Sequence, residues 1–424
     1  LLLSEVSYLN VQYARIFSMR IAFISSASMN SSGGDGRVAR ELAEALSEEN
    51  KVMLVLSGKK TGMHKMGNNL TRFEVSGKKK GDIILPVLNP VKINSLFKNL
   101  RKFSPEVIHF HDQGPVAFVV LLWALKNNLP TVFTSHTIPS EVVSFGLVEL
   151  FPKIQSLFDN KIFDSYFDLF LKKSSAIVAI NDSVMEDLSN YELNTPAYKI
   201  PNGRNLKHYN GVSFPDITKR PVKMIFVGYL NKRKNQTFLI DVMKHLPFDD
   251  YELNLAGVSL NGSYEENLKS KVEELGVNVN FLGKVSHERI PVLLEESHFF
   301  VSASLMEVQS LAILEALASG TPVISLDNET TSEFVDESIG FNFPSEVDAE
   351  AFADKIKELA GSSPEVYGKM CEKAREKVNN LDWKNVADQT SAMYVAVVGN
   401  NRYEKKGLNG LRKLFESVDM GLFE

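Results

Sequence analysis

Short apolar runs alternate with stretches of helical period along most of this chain, and the series is played out twice. "RIAFISS" (20–26) is such a run; Val38, Leu42, Ala45 and Leu46 then recur at helical spacing before "KVMLVLS" (51–57). That is a βαβ unit. "EVIHFH" (106–111), "TVFTS" (131–135) and "AIVAI" (176–180) continue the series, with helical segments between them. After the loop-like "PNGRNLKHYNGVSFPDITKRP" (201–221) it restarts with "VKMIFVG", "YELNLAG", "VNFLG", "FFVSAS" and "PVISLD". Alternation of this kind predicts an α/β fold class, parallel sheets covered by helices on both faces. At 424 residues the chain exceeds one ordinary core, and the restart predicts two such domains joined near 205–221. From 348 on it reads as helices, ending with "DWKNVADQTSAMYVAVV".

Bulk properties remove several classes of function. A formal charge of −5 leaves no nucleic-acid footprint, and 44% hydrophobic with 23% charged residues is not a disordered composition. The lone Cys371 can form no internal disulfide, which points to a reducing compartment, the cytoplasm, and away from thiol chemistry. The longest apolar run, "VAFVVLLWAL" (116–125), is half the roughly 20 residues a spanning helix needs and reads as a buried helix. Residues 1–18 lack the basic start and unbroken apolar centre of a signal peptide. Because "MRIAFISS" from Met19 enters a strand directly, the first 18 residues are read either as a misplaced start, the preferred reading, or as a short extension of unknown use.

In open α/β sheets ligands collect beyond the carboxyl ends of strands, so residues just after strands are the candidates. "GDGRVA" (34–39) matches G-x-G-x-x-A, but several residues separate it from the strand and no acid follows "KVMLVLS" to hold a ribose. Nicotinamide or flavin binding is therefore not expected. Gly33 and Gly34 either permit a turn or let backbone amides approach an anion, the preferred use. His109 and His111 lie two apart; with no third ligand indicated by spacing, packing is preferred to a metal pair. His136 stands at the end of its strand, a position that favours the cleft. The cluster Lys232, Arg233 and Lys234 is read equally as a solvated loop or as cations that neutralise phosphate over a strand end.

"EVQSLAILEALASGTPVIS" (307–325) sets Glu307 and Glu315 eight apart in a stretch that otherwise reads as buried helix and strand. Ser310 is expected to cap the helix "LAILEALASG" and Gly320 to end it, leaving amides near Ser310 and Leu311 to face a diphosphate. Glu315, one turn down, can accept hydrogen bonds from two neighbouring ribose hydroxyls, and Glu307 reaches hydroxyls on the other side of the phosphates.

These residues resemble the retaining GT-B glycosyltransferases of family 4, the group 1 glycosyltransferases. The family's E-x7-E and L-E-A-x-A-x-G-x-P-V-I are met by Glu307, Glu315 and "LEALASGTPVIS"; "IPNG" (200–203), "SSAIVAINDSVMEDL" (174–188), "NFLGKVSHERIPVLLEES" (280–297) and Gly33-Gly34 also fit. The resemblance implies two Rossmann-like domains facing a central cleft: 19–205 on the acceptor side, 206–382 holding the donor nucleotide, a helix 383–398 crossing back, and a tail 399–424. It implies Lys234 and Arg233 on the donor diphosphate, Gly34 on the phosphates, Glu307 on the transferred sugar, and His136 on the sugar or its phosphate. Glu315 would hold the ribose, and the backbone around Val285 would lie near the base. No bound metal is implied. One departure is Gly228-Tyr229 where the family usually has Gly-Arg, which removes a phosphate-binding cation.

The implied activity is hexosyl transfer with retention from a nucleoside diphosphate sugar, UDP- or GDP-linked, to a hydroxyl of a glycan, lipid or small molecule. Tyr229 motivates the alternative of a non-catalytic subunit that binds a sugar nucleotide or glycan. "FPKIQSLFDNKIFDSYFDLFLKK" (151–173) and "LNGLRKLFESV" (408–418) are candidates for contact with the inner face of a membrane, with packing against the first domain preferred.

Overall fold

A computed structural model describes residues 18–28, 34–80, 83–138, 160–209, 213–259 and 262–399. Gly33, 1–17, 151–159 and 408–418 lie outside these residues. The chain divides into one unit of Leu1–Pro201 with Trp383–Glu424 and another of Asn202–Asp382. The first division falls between Pro201 and Asn202 rather than between 205 and 206, because the backbone there is bonded into the second unit. The Asn202 amide donates to the Gln309 side chain at 2.7 Å, and the Arg204 amide donates to the Leu381 carbonyl at 2.6 Å.

In the first unit the described strands are β1 (Arg20–Ser28), β2 (Lys51–Gly58), β3 (Gly62–Lys65), β4 (Leu70–Lys80), β5 (Ile83–Pro86), β6 (Val107–Phe110), β7 (Thr131–Ser135), β8 (Ala176–Ala179) and β9 (Ala197–Lys199). They form a sheet in the order β3-β4-β2-β1-β6-β7-β8-β9, with β5 on β4. Only β3 and β5 run antiparallel to β4 among the described pairs. The apolar run after β6 is the helix Pro115–Lys126, buried on nearly every side, as its lack of a polar face requires. Sequence pattern missed β4: Leu70, Phe73 and Val75 are its only buried apolar side chains, and its tail is three lysines. Pairing with β2 from Val52↔Leu70 to Gly58↔Ser76 makes it a strand nonetheless.

The helix Trp383–Gly399 belongs to this unit. Its Trp383 Nε1 donates to Glu41 at 2.9 Å, and its Tyr394 hydroxyl meets His109 Nδ1 at 2.6 Å. The helix Asn160–Lys173 turns Phe167 and Phe170 against Phe133. Those aromatics of the 151–173 stretch serve the core.

The second unit holds β10 (Val222–Val227), β11 (Tyr251–Ala256), β12 (Val279–Gly283), β13 (Phe299–Ser302), β14 (Val323–Leu326) and β15 (Gly340–Phe343). They are parallel throughout, in the order β12-β11-β10-β13-β14-β15. Alternate residues serve opposite faces: Met224 and Phe226 enter one core and Ile225 the other. At the centre both faces are covered, which is why β13 and β14 read as apolar runs, whereas β12 at the edge is not buried.

Candidate active site

Strand order reverses between β10 and β13 in the second unit, so the loops leaving these neighbours diverge and open a crevice at their carboxyl ends. After β10, Gly228 takes φ 154 and sets its carbonyl so close to Gly257 that a Cβ there would strike it. The buried Gln236 then ties the loop down, donating from Nε2 to the Tyr229 carbonyl at 2.9 Å and accepting from the Asn231 amide at 3.3 Å. Asn231 caps the short turn Lys232–Lys234 by accepting from the Lys234 amide at 3.0 Å.

That turn separates the three cations. Lys232 is exposed. Arg233 Nη1 donates to the Met306 carbonyl at 3.2 Å, and the Leu305 amide returns a bond to the Arg233 carbonyl at 2.9 Å. Lys234 Nζ forms an ion pair with Glu307 Oε1. Burial, reinforced by the Arg233 charge, pushes the Lys234 ammonium down to about 7, whereas the touching carboxylate favours the charged form. A negative ligand beside Lys234 would favour its charged form further.

The loop after β13 is fixed at both ends. The Glu307 amide donates to Glu329 Oε2 at 3.0 Å, and the Glu307 carbonyl accepts from the Thr330 hydroxyl at 2.9 Å. The same hydroxyl oxygen accepts the Ser310 amide at 2.8 Å. Asn328 and Thr331 form a capping box on the helix Glu329–Phe334, which holds Thr330 in place. Burial is the main cause that raises the Glu329 pKa, with Asp327 adding to it.

Ser310 does not act as expected. Its side chain makes no cap bond to the helix Leu311–Ser319; its backbone amide donates to the Thr330 hydroxyl. Leu311 still opens that helix, and Gly320, at φ 75, ends it. Glu307 is 7% exposed and Glu315 3%, so neither is an ordinary surface glutamate. Val285 packs against the core that holds Ile313 and Leu314.

In the first unit the order reverses between β1 and β6. Asp112, just past β6, binds across that gap, accepting from the Ser26 amide, from the Ser26 hydroxyl at 2.8 Å and from the Gly114 amide at 2.7 Å. Burial raises its pKa against these bonds, which lower it. Beside it, His111 Nδ1 lies 3.0 Å from His136 Nε2, and the two rings stack. His109 stands behind them, bonded through Nε2 to the Thr134 hydroxyl at 2.6 Å as well as to Tyr394. Burial drives His109 down to about 3 and His111 well below its usual value, so both are neutral imidazoles at neutral pH. Among the described residues no group of three or more His, Cys, Asp or Glu side chains is placed to hold a metal ion. Gly34 opens the helix Gly34–Leu46.

The second unit thus gathers Arg233, Lys234, Glu307, Ser310, Leu311 and Glu315 at one switch point, while His136 stands at a strand end of the first unit. Sequence reasoning missed Gln236, Asp112 and Thr330. Two signals were present: Asn231 three residues before Lys234, and "DNETTSE" directly after β14, which carries the capping box.

Two doubly wound α/β units of this kind define the GT-B class of transferases. The chain belongs to the group 1 glycosyltransferases: residues 214–377 match the family Glycosyl transferases group 1, and residues 32–208 match Glycosyltransferase Family 4. It is 23% identical to the alpha-monoglucosyldiacylglycerol synthase of Streptococcus pneumoniae over 72% of this chain and 69% of that one. Against the phosphatidyl-myo-inositol mannosyltransferase of Mycobacterium leprae, identity is 24% over 89% of this chain and 97% of the other. Sucrose-phosphate synthase from Thermosynechococcus elongatus shares the fold with a TM-score of 0.72 at 19% identity, covering 90% of this chain and all (100%) of that one. Anabaena HepE in complex with UDP and glucose does so with a TM-score of 0.69 at 17% identity, covering 88% and 99%.

Proposed function

We propose that this glycosyltransferase moves a hexosyl group from a nucleoside diphosphate sugar, UDP- or GDP-linked, to an acceptor hydroxyl with retention of configuration. The observation that carries this reading is the joining of the Arg233–Lys234 turn to the Glu307 loop in front of the helix that bears Glu315. Two cations then face the departing diphosphate, a carboxylate faces the sugar hydroxyls, and a second carboxylate one turn down faces a ribose. Positive charge grows on the sugar ring as the bond to phosphate breaks, so stabilising the leaving oxyanions is the main catalytic task, and Lys234 and Arg233 supply it without a metal ion. His136 takes the sugar or its phosphate, Gly34 the phosphates, and Val285 lies near the base.

Relatives support the donor and acceptor classes: HepE was crystallised with UDP-glucose, and the synthase and mannosyltransferase above are named for lipid acceptors. For this chain our reading is a glycan, lipid or small-molecule acceptor, of which these names favour a lipid, and a cytoplasmic site of action at the inner face of a membrane. The test is a thermal-shift panel of nucleoside diphosphates and their sugar conjugates. Saturation at 100 times the dissociation constant adds about 2.7 kcal/mol, and one base should respond. Glu315→Ala should abolish that response, and Lys234→Ala should reduce turnover far more than Lys269→Ala, a residue half exposed and paired with Glu265. Silence toward every nucleotide would overturn the reading.

Tyr229, in the place of a cation, favours a second reading, a binding subunit without transfer activity. Any turnover by the unaltered protein excludes it.

A further inference from the structure

One long run of positive charge has no part in the site above. Between Lys51 and Phe103 stand twelve lysines and arginines against two acids, Glu74 and Asp82, although the whole chain carries −5. The fold brings several of these cations to one place. Lys59 and Lys60 follow β2, and Lys78 and Lys79 end β4; since the two strands pair in parallel, with Gly58 beside Ser76, both pairs leave the sheet at its carboxyl edge.

A hydrogen-bond junction holds that edge together. The Thr61 and Ser76 hydroxyls pair at 3.0 Å, and the Ser76 carbonyl accepts the Val87 amide at 3.2 Å and the Lys92 ammonium at 3.0 Å. Lys92 also donates to the Val87 carbonyl at 2.8 Å. Lys59, Lys60, Lys78 and Lys79 are exposed, and none is in an ion pair among the described residues. Like charges held together without counter-ions repel, and an anionic partner relieves that repulsion. Beside them Val91 is 78% exposed and Val87 39%. A soluble polyanion needs the cations alone. Apolar side chains set among cations match the boundary between headgroups and acyl chains.

We propose that this surface docks on an anionic lipid bilayer, the lysines among the headgroups and Val87 and Val91 at the acyl boundary. β4, β2, β1, β6 and β7 are successive neighbours, so a strand spacing of about 4.8 Å sets His136 roughly 20 Å along the same edge. A docked bilayer would present a lipid hydroxyl toward that edge, a consequence that rests on the proposed function; the docking itself does not.

Co-sedimentation of the full chain with vesicles, without donor or acceptor, tests the docking. Binding is expected to phosphatidylcholine vesicles containing about a third phosphatidylglycerol, not to phosphatidylcholine alone, and is expected to fall steeply with salt. Each lysine removed should lower partitioning about fivefold: K59Q/K60Q by roughly 25-fold, and K59Q/K60Q/K78Q/K79Q by several hundredfold. Val91→Ser should weaken it several-fold with the charge intact. Equal partitioning to neutral and anionic vesicles, or a quadruple variant that binds as before, overturns the proposal. It is also overturned if Val91→Ser has no effect while the lysine variants lose heparin and vesicles alike, because the surface is then a polyanion site. A nucleoside diphosphate thermal shift on the same samples confirms folding and reports the donor site separately, so failure of one reading is not mistaken for failure of the other.

Discussion

Raising the pH above neutrality should weaken diphosphate binding in a way that identifies Lys234. In the free protein its ammonium is pushed down to about 7 from an ordinary 10.5 by burial and by Arg233. A diphosphate placed against it restores the charged form, so binding above pH 7 must take up a proton. Each pH unit costs about 1.4 kcal/mol, a tenfold loss of affinity at pH 8 and about a hundredfold at pH 9. The ligand adds no competing titration there, since its terminal phosphate has a pKa near ~6. Calorimetry at pH 8 in two buffers of different ionisation enthalpy should count roughly 0.9 proton per diphosphate bound. Lys234→Arg, charged throughout, should bind with no pH slope. The sign for folding is opposite: the depressed pKa penalises the folded state fully below about 7, and the penalty is relieved toward 10.5. Weaker binding at pH 9 therefore cannot come from this group unfolding the protein. A flat affinity with no proton uptake would refute the assignment of Lys234 to the diphosphate.

Three further outcomes follow from named bonds. Gln236→Leu removes both ties on the loop after β10, to the Tyr229 carbonyl and from the Asn231 amide; denaturant unfolding should show a loss of about 1–3 kcal/mol, and no loss would mean the loop is held otherwise. His109, at about 3 when folded, is protonated only in the unfolded state between pH 6.5 and about 3, so stability should fall as pH falls through that window; His109→Gln should reduce the slope by one proton, about 1.4 kcal/mol per unit, and an unchanged slope would rule out a neutral buried His109. Thr330→Val frees the Ser310 amide and leaves the Glu307 carbonyl only the position-330 backbone amide, at 3.0 Å, and donor KM should rise about tenfold while global stability drops by only about 1–3 kcal/mol; equal donor KM would show that the loop keeps its shape without the Thr330 hydroxyl.

Legibility followed burial. Strands covered on both faces, such as β8 (AIVA) and β14 (VISL), stand out because most of their residues must be apolar. β4 does not, since its register with β2 is a tertiary fact that its glycine and lysines conceal. At the site, the residues that carry charge were readable from their place after strands. Those that hold them were not. Gln236, Thr330 and Asp112 act through backbone amides and carbonyls, and although Asn231 and "DNETTSE" mark helix starts nearby, neither says which backbone groups these side chains bind. Ser310 shows the reverse failure: the local signal for a cap was present, and its side chain makes no such bond.

Tyr229 is the residue at which sequence and geometry give different advice. A missing cation suggests a degenerate site. The backbone around position 229 does not: Gly228 sets the turn and Gln236 holds the Tyr229 carbonyl, bonds that do not involve the Tyr229 side chain. Exchange at 229 keeps these backbone ties and changes the charge beside them. Tyr229→Arg should tighten a diphosphate by about 1.5–3 kcal/mol, the range of a charge-assisted bond, and titration calorimetry at pH 6.5 would read it directly. If the unaltered protein already transfers sugar and the variant only binds donor more tightly, Arg233 and Lys234 suffice for the leaving group. If transfer appears only in the variant, the natural chain is a sugar-nucleotide reader built on a transferase frame.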